Sequence, residues 1–200
     1  YLIRKERTLY EKGFLYDNDW NLLGYMENTL TKNGVEYIFG YNEADAYKLE
    51  IKDNRNDLTL ANIKIRYDAG LKSLSDYSDK YTVPAVGTQN VGTDGVTYVY
   101  RGLSNNESSF NEVDVNRALA QEDVIFYAYY DNDRIERQEA QDELTKLVDY
   151  TKTIDKAAIK PALEEAQSVL KQLSPRKATT TELRDAINKL RVALDSLFPS

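Results

Sequence analysis

The chain contains no cysteine and no histidine. The first absence removes disulfides, thiolate nucleophiles and cysteine-based zinc sites. The second is stricter: no Ser-His or Cys-His catalytic pair can form, and no histidine can ligate zinc or haem. Glycine and proline are scarce, at nine and four residues in 200, which is too few for a linker-like or disordered chain. No run approaches the ~18 consecutive apolar residues of a membrane-spanning helix, and no leader peptide is visible at the start. The chain opens on Tyr1 and stops at Ser200, just past a helical pattern, so we read it as a fragment of a longer protein. Positive charge is in deficit, with 26 Lys and Arg against 33 Asp and Glu and a net charge of -7. That weighs against nucleic acid as a partner, because phosphate binding needs clustered cations. It weighs more weakly against an anionic membrane surface.

Tyrosine is abundant, at 16 residues against one Trp. The tyrosines concentrate in residues 1–134, which read as β-rich. Stretches 21–27, 35–41, 47–52, 58–67, 96–101 and 123–131 carry the Tyr, Ile, Val and Phe that suit a pleated surface. Leu58 and Leu60, then Ile63, Ile65 and Tyr67, alternate with a phase slip near Ala61 that predicts a bulge. Asn33-Gly34 is a hairpin turn signal. The polar run 53–57 is a turn, and 82–95, with Pro84 and three glycines, reads as loop. Residues 108–121, with Phe110, Val113, Ala118 and Leu119, predict one helix within the β region. Residues 71–81 are ambiguous between loop and short helix.

Composition shifts to Leu, Ala, Glu and Lys after the run 131–134, with no flexible linker. We therefore place a boundary at 134, followed by three helices in 135–200. The first covers about 134–152, with Leu144, Leu147, Val148 and Thr151 inward. The second turns Ile159, Leu163, Ala166, Leu170 and Leu173 inward. Its start is set nearer Ala158 than Asp155, so that Pro161 falls in the first turn, where no hydrogen bond is lost. The third carries Leu183, Ile187, Leu190, Leu194 and Leu197 on one face. Thr179 and Glu182 before it have capping-box spacing. Three such stripes enclose a small core together, although each alone is marginal. The fold class expected is α+β and multidomain: a β-rich N-terminal domain, either an Ig-like sandwich or an α+β unit, then a three-helix bundle.

Leu144, Val148, Asp149-Tyr150-Thr151, Ala162-Leu163 and 166–170 carry a family likeness, as do 178–183, Asp185-Ala186-Ile187, Leu190 and 193–197. On these residues the C-terminal third resembles the FIVAR module, a three-helix repeat of Gram-positive surface and secreted proteins. Lys156 stands where that family often has a bulky Trp, and Pro161 is a second departure. The resemblance implies a spacer or stalk unit, set beside binding modules in adhesins or beside sugar-binding and catalytic modules in secreted glycosidases. It implies an extracellular, wall-associated or secreted location and neighbouring modules in the same chain.

Motifs for chemistry are weak. Residues 87–94 have the glycine spacing of a phosphate loop, but Thr93 replaces the lysine and Asp94 repels phosphate. Asp17, Asp19 and Asn21 imitate a calcium loop, yet Leu22 and Asn28 occupy its glycine and glutamate positions. Asp53 with Asp57, or Asp131 with Asp133, are turn formers before they are metal ligands. Carboxylates are plentiful, and no spacing singles out an acid pair. No cofactor, metal site or catalytic residue is expected. The candidate ligand-binding residues are aromatic: Trp20, Tyr37, Tyr41, Tyr98, Tyr100, Tyr127 and Tyr129. Tyrosine offers flat apolar area and a hydroxyl at low entropic cost, which suits glycan or protein recognition. The competing explanation is packing, since half of any aromatic strand face lines a core. The functional expectation is a non-enzymatic, adhesin-like segment that binds a host protein or glycan. An accessory region of a large secreted glycoside hydrolase, or a purely structural stalk repeat, are the alternatives.

Overall fold

The computed structural model describes residues 46–198, together with the backbone of short strands at 2–4, 13–16, 22–26, 29–32 and 35–39. The chain is mixed α+β, a five-stranded sheet followed by three helices. The early strands are β1 (Leu2–Arg4), β2 (Gly13–Tyr16), β3 (Leu22–Met26), β4 (Thr29–Lys32) and β5 (Val35–Phe39). β5 pairs antiparallel with both β1 and β4, and β2 pairs with β3. The later strands are β6 (Ala46–Asp53), β7 (Thr59–Arg66), β8 (Gln89–Val91), β9 (Thr97–Ser104) and β10 (Val124–Asn132). These five form the large sheet in the order β7-β6-β10-β9-β8. By contact density the chain separates into two units, 1–83 with 102–129, and 84–101 with 130–200. Residues 84–101, on the N-terminal side of the expected boundary at 134, thus group with the helices.

In the first unit β6 and β7 form a hairpin whose inward positions alternate as their sequence does. Tyr47, Leu49, Ile51, Ala61, Ile63 and Ile65 are buried, while the residues between them are more exposed. The register steps from Ile51 opposite Ala61 to Lys52 opposite Thr59. Leu60 is therefore the extra residue of a bulge, at the phase slip seen in the sequence. Asp53 closes the turn: its carboxylate accepts from the Arg55 backbone N–H and from the Arg55 guanidinium, both at 2.8 Å. Asp57 takes the left-handed conformation, at φ 58°. β10 runs parallel to β6, with Leu49, Ile51 and Asp53 opposite Val124, Phe126 and Ala128.

Two readings of the sequence need correction here. Residues 108–121 form no helix. Short polar side chains capture the backbone donors that a helix would need. Asn106 Oδ1 accepts from the N–H groups of Ser108 and Ser109, and Asp114 Oδ1 accepts from Asn116. Ser104 Oγ accepts from the N–H groups of Asn106 and Asn111. The segment is instead tied by two isolated bridges, Ser104 with Glu112 and Ser73 with Ala118. The stretch 82–95, expected as loop, contains β8, whose three residues are all exposed and therefore show no alternation. Residues 71–81 hold a one-turn helix, Leu74–Tyr77, that buries Leu74 and Tyr77.

In the second unit the helices are α1 (Arg134–Thr151), α2 (Lys160–Lys171) and α3 (Thr180–Asp195). Pro161 is the second residue of α2, after a one-turn lead-in over Ala157–Ile159, which removes the conflict its ring posed. The buried faces of all three helices meet in one apolar cluster, centred on Leu144, Val148, Ile159, Leu183, Ile187 and Leu190. Leu173, expected inside, is 72% exposed. α2 stops at Lys171 and Gln172 turns extended, so the helical register no longer carries Leu173 inward.

The start of α3 has the expected capping box. Thr179 Oγ1 accepts from the Glu182 N–H at 3.2 Å, and Glu182 accepts back from the Thr179 N–H at 3.4 Å. Partial burial would raise the Glu182 pKa, but hydrogen bonds from Arg176 and Thr179 outweigh it and hold the carboxyl below its usual range. A depressed carboxylate pKa stabilises the fold above the unfolded-state value and loses that effect as pH falls through the folded-state value. Glu182→Gln should therefore cost up to about 1 kcal/mol at neutral pH. The gap between variant and parent in urea titrations should close in acid.

Candidate functional site

The second unit contains a joint built from three short segments. β8 and β9 form a hairpin whose turn, 92–96, is closed by Gly92 N–H donating to Val96 O and by Asp94 Oδ1 accepting from the Val96 N–H. Gly95 in this turn has φ +79°. A β-carbon there would lie 2.3 Å from Ala178 O, 2.6 Å from Arg137 Nε and 2.9 Å from Lys177 O. Glycine is thus required by both its torsion and its neighbours. Arg137 is a buried cation on the inward stripe of α1, in line with Ala140, Leu144, Val148 and Thr151. Its Nε donates to Ala178 O at 2.7 Å, and its Nη1 donates to Gln141 Oε1 at 2.9 Å. Lys177 N–H donates to Thr93 O at 2.9 Å, which ties the turn to the entry of α3.

Asp133 is the one residue between β10 and α1. Its Oδ1 accepts from the Thr97 N–H and its Oδ2 from the Thr180 hydroxyl, each at 2.7 Å. One carboxylate thereby joins the hairpin, the start of α1 and the start of α3. Asp133→Ala should lower stability by roughly 2–3 kcal/mol, since both bonds are charge-assisted. Asp133→Asn should cost under about 1 kcal/mol, because the amide oxygen still serves Thr97 and the hydroxyl of Thr180 can reverse its role. Paired thermal melts of the two variants check the contrast.

The aromatic candidates divide by burial. Tyr100 is 2% exposed, with its ring centroid 5.2 Å from that of Tyr130, so it is a core residue. Tyr129 is buried beneath Phe110, whose ring stacks on it at 5.6 Å and 18°. Gly102 lies beside the Phe110 ring. Tyr98 is half-buried, and its hydroxyl accepts from Arg134 Nη2 at 2.8 Å. Tyr127 is half-buried, in register with Lys52 of β6. Tyr98 belongs to the second unit and Tyr127 to the first. Tyr37 lies on β5, opposite Arg4 and Leu30. Trp20 and Tyr41 lie outside the described residues, as do Asp17, Asp19 and Asn21.

The carboxylates weighed as metal ligands have other partners: Asp53 holds Arg55, Asp131 pairs with Arg101, and Asp133 makes the joint. Among the described residues no group of three His, Cys, Asp or Glu side chains could hold a metal ion. Among them, too, no helix is long and apolar enough to cross a membrane.

The first unit has a concave site that sequence reading missed. A half-open cleft of about 470 Å³ lies between the one-turn helix at Leu74, the loop 105–122 and the start of β10. Its rim is polar, with Asn105, Asn111, Glu112, Asp114, Arg117 and Glu122. Its floor is apolar, with Leu74, Val113, Leu119, Val124 and Phe126. The loop is pinned by backbone bonds from Leu119 N–H to Lys72 O, Ser75 N–H to Val115 O and Val113 N–H to Leu103 O, at 2.7 to 3.0 Å. The Asn and Asp turn formers that prevent a helix here are the only local sign of such a loop in the sequence.

No family model, no curated protein and no solved structure matches the chain.

Proposed function

We propose that this chain is a non-enzymatic segment of a bacterial cell-surface protein, in which a β-rich binding domain is followed by a three-helix bundle that serves as a spacer. The observation that carries this reading is the joint around Asp133. A spacer has to resist bending where chain segments meet. Here a hairpin turn is fixed to two helix starts by a carboxylate, a buried guanidinium and a glycine that allows close backbone approach. The shared apolar cluster of the helices and the box at Thr179 support the likeness to FIVAR modules. The location that goes with the reading is extracellular, wall-associated or secreted, and the partners are a host protein or glycan and neighbouring modules.

A second reading, an accessory carbohydrate-binding region of a large secreted glycoside hydrolase, is favoured by the polar-rimmed cleft of the first unit. Antibodies raised against the chain test the first reading on intact cells of the bacterium that encodes it. Surface labelling that protease shaving removes is the result expected. Labelling that appears only after lysis would overturn it.

A further inference from the structure

The cleft of the first unit combines three features. It is concave and of ligand size, since small-molecule sites run from about 300 to 1,000 Å³. Its walls are held by backbone hydrogen bonds, so little ordering remains to oppose binding. Among the described residues, the side chains of Asn105, Asn111, Glu112, Arg117 and Glu122 make no hydrogen bond or ion pair. Five polar heads around one opening are thus uncommitted.

We propose that this cleft binds a neutral, hydroxyl-rich ligand of one or two sugar rings. The proposal rests on the reading of the N-terminal part as a binding domain and names the ligand class. Charge excludes the main competitors. Three carboxylates against one guanidinium repel phosphate, sulfate and nucleotides. A purely apolar occupant would strip water from the rim groups and return no hydrogen bonds. A sugar hydroxyl donates and accepts at once. It can donate to Glu112, Asp114 and Glu122, and accept from Arg117 and from the amides of Asn105 and Asn111. The apolar C–H face of the ring then meets the floor around Val113, Leu119 and Val124. Rim residues set orientation and the floor excludes water, the usual division in small-molecule sites.

The test uses the whole chain on an array of neutral and charged glycans, followed by NMR titration of the strongest neutral one. The expected result is binding of a neutral glycan, with amide shifts confined to 105–126 and the Leu74 turn. Arg117→Ala and Glu122→Gln should each weaken binding about tenfold, the effect of losing one well-placed polar contact. Both residues are exposed, so the fold should survive. Tyr150→Ala, on the exposed face of α1, should leave binding unchanged. Three outcomes would overturn the proposal: no neutral glycan bound, affinity in both rim variants equal to that of the parent chain, or preference for a sulfated glycan. Surface labelling of intact cells reads location alone, so either proposal can fail without the other.

Discussion

Leu190→Asp should abolish cooperative melting of the helical segment. Leu190 is fully buried in the cluster where all three helices meet. Truncation of a buried leucine costs about 2–5 kcal/mol. An aspartate adds a charge inside a buried apolar cluster, and the total should exceed about 5 kcal/mol, comparable to the whole stability of a small domain. Far-ultraviolet circular dichroism should show the helical signal fall and lose its sharp thermal transition. Val192→Asp, two residues on and 69% exposed, should leave the melt within about 0.5 kcal/mol of the parent. The pair separates burial from helix propensity, since both changes introduce the same residue into α3.

Gly95→Ala should be nearly as damaging, though it adds one methyl group to a turn. The φ of +79° alone costs an L-residue about 1–2 kcal/mol. The added carbon would also stand 2.3 Å from Ala178 O and 2.6 Å from Arg137 Nε, so the turn must lift away from α1 and α3. Lifting breaks the bond from Lys177 N–H to Thr93 O and disturbs the one from Arg137 to Ala178 O. A buried guanidinium without its acceptor costs several kcal/mol more, and the sum should reach about 3–5 kcal/mol in chemical denaturation. Gly87→Ala is the control. Gly87 also has a positive φ, +92°, but its missing β-carbon faces open space, so only the torsional part remains.

These two positions show what the residue pattern discloses and what it hides. Leu190 belongs to a stripe spaced four, three, four and three, and such spacing follows from helix geometry alone. The same local logic located β6, β7, β9 and β10, the cap at Thr179, the entry of α2 at Pro161 and the bulge beside Ala61. Gly95 gives no such signal, because its neighbours Lys177 and Ala178 are far along the chain. One trace was present: Arg137 sits on the apolar stripe of α1, and a charge there must have a buried acceptor. The parallel pairing of β6 with β10 likewise joins distant segments through backbone bonds that carry no residue signature.

The aromatic candidates were limited by the same gap. Alternation assigns Tyr127 and Tyr129 to one face of β10, but it cannot say that Phe110 comes from a loop to cover one and not the other. The helix expected at 108–121 failed for a local reason that was legible. Asn106 and Asp114 stand where they can take backbone donors, and apolar spacing alone outvoted them. The cleft followed from that failure, since a helix there would have left no such loop.

Native-state amide hydrogen exchange, read residue by residue, tests most directly whether the hairpin and the helices are one mechanical piece. The N–H groups of Thr97 and Lys177, bonded to Asp133 and Thr93, should exchange only with the same opening that frees Leu144 and Leu190. Asp133→Ala should release Thr97 and Lys177 first. If those two amides exchange in the parent as fast as an open loop while the helix amides stay protected, the joint does not hold and the spacer reading loses its basis.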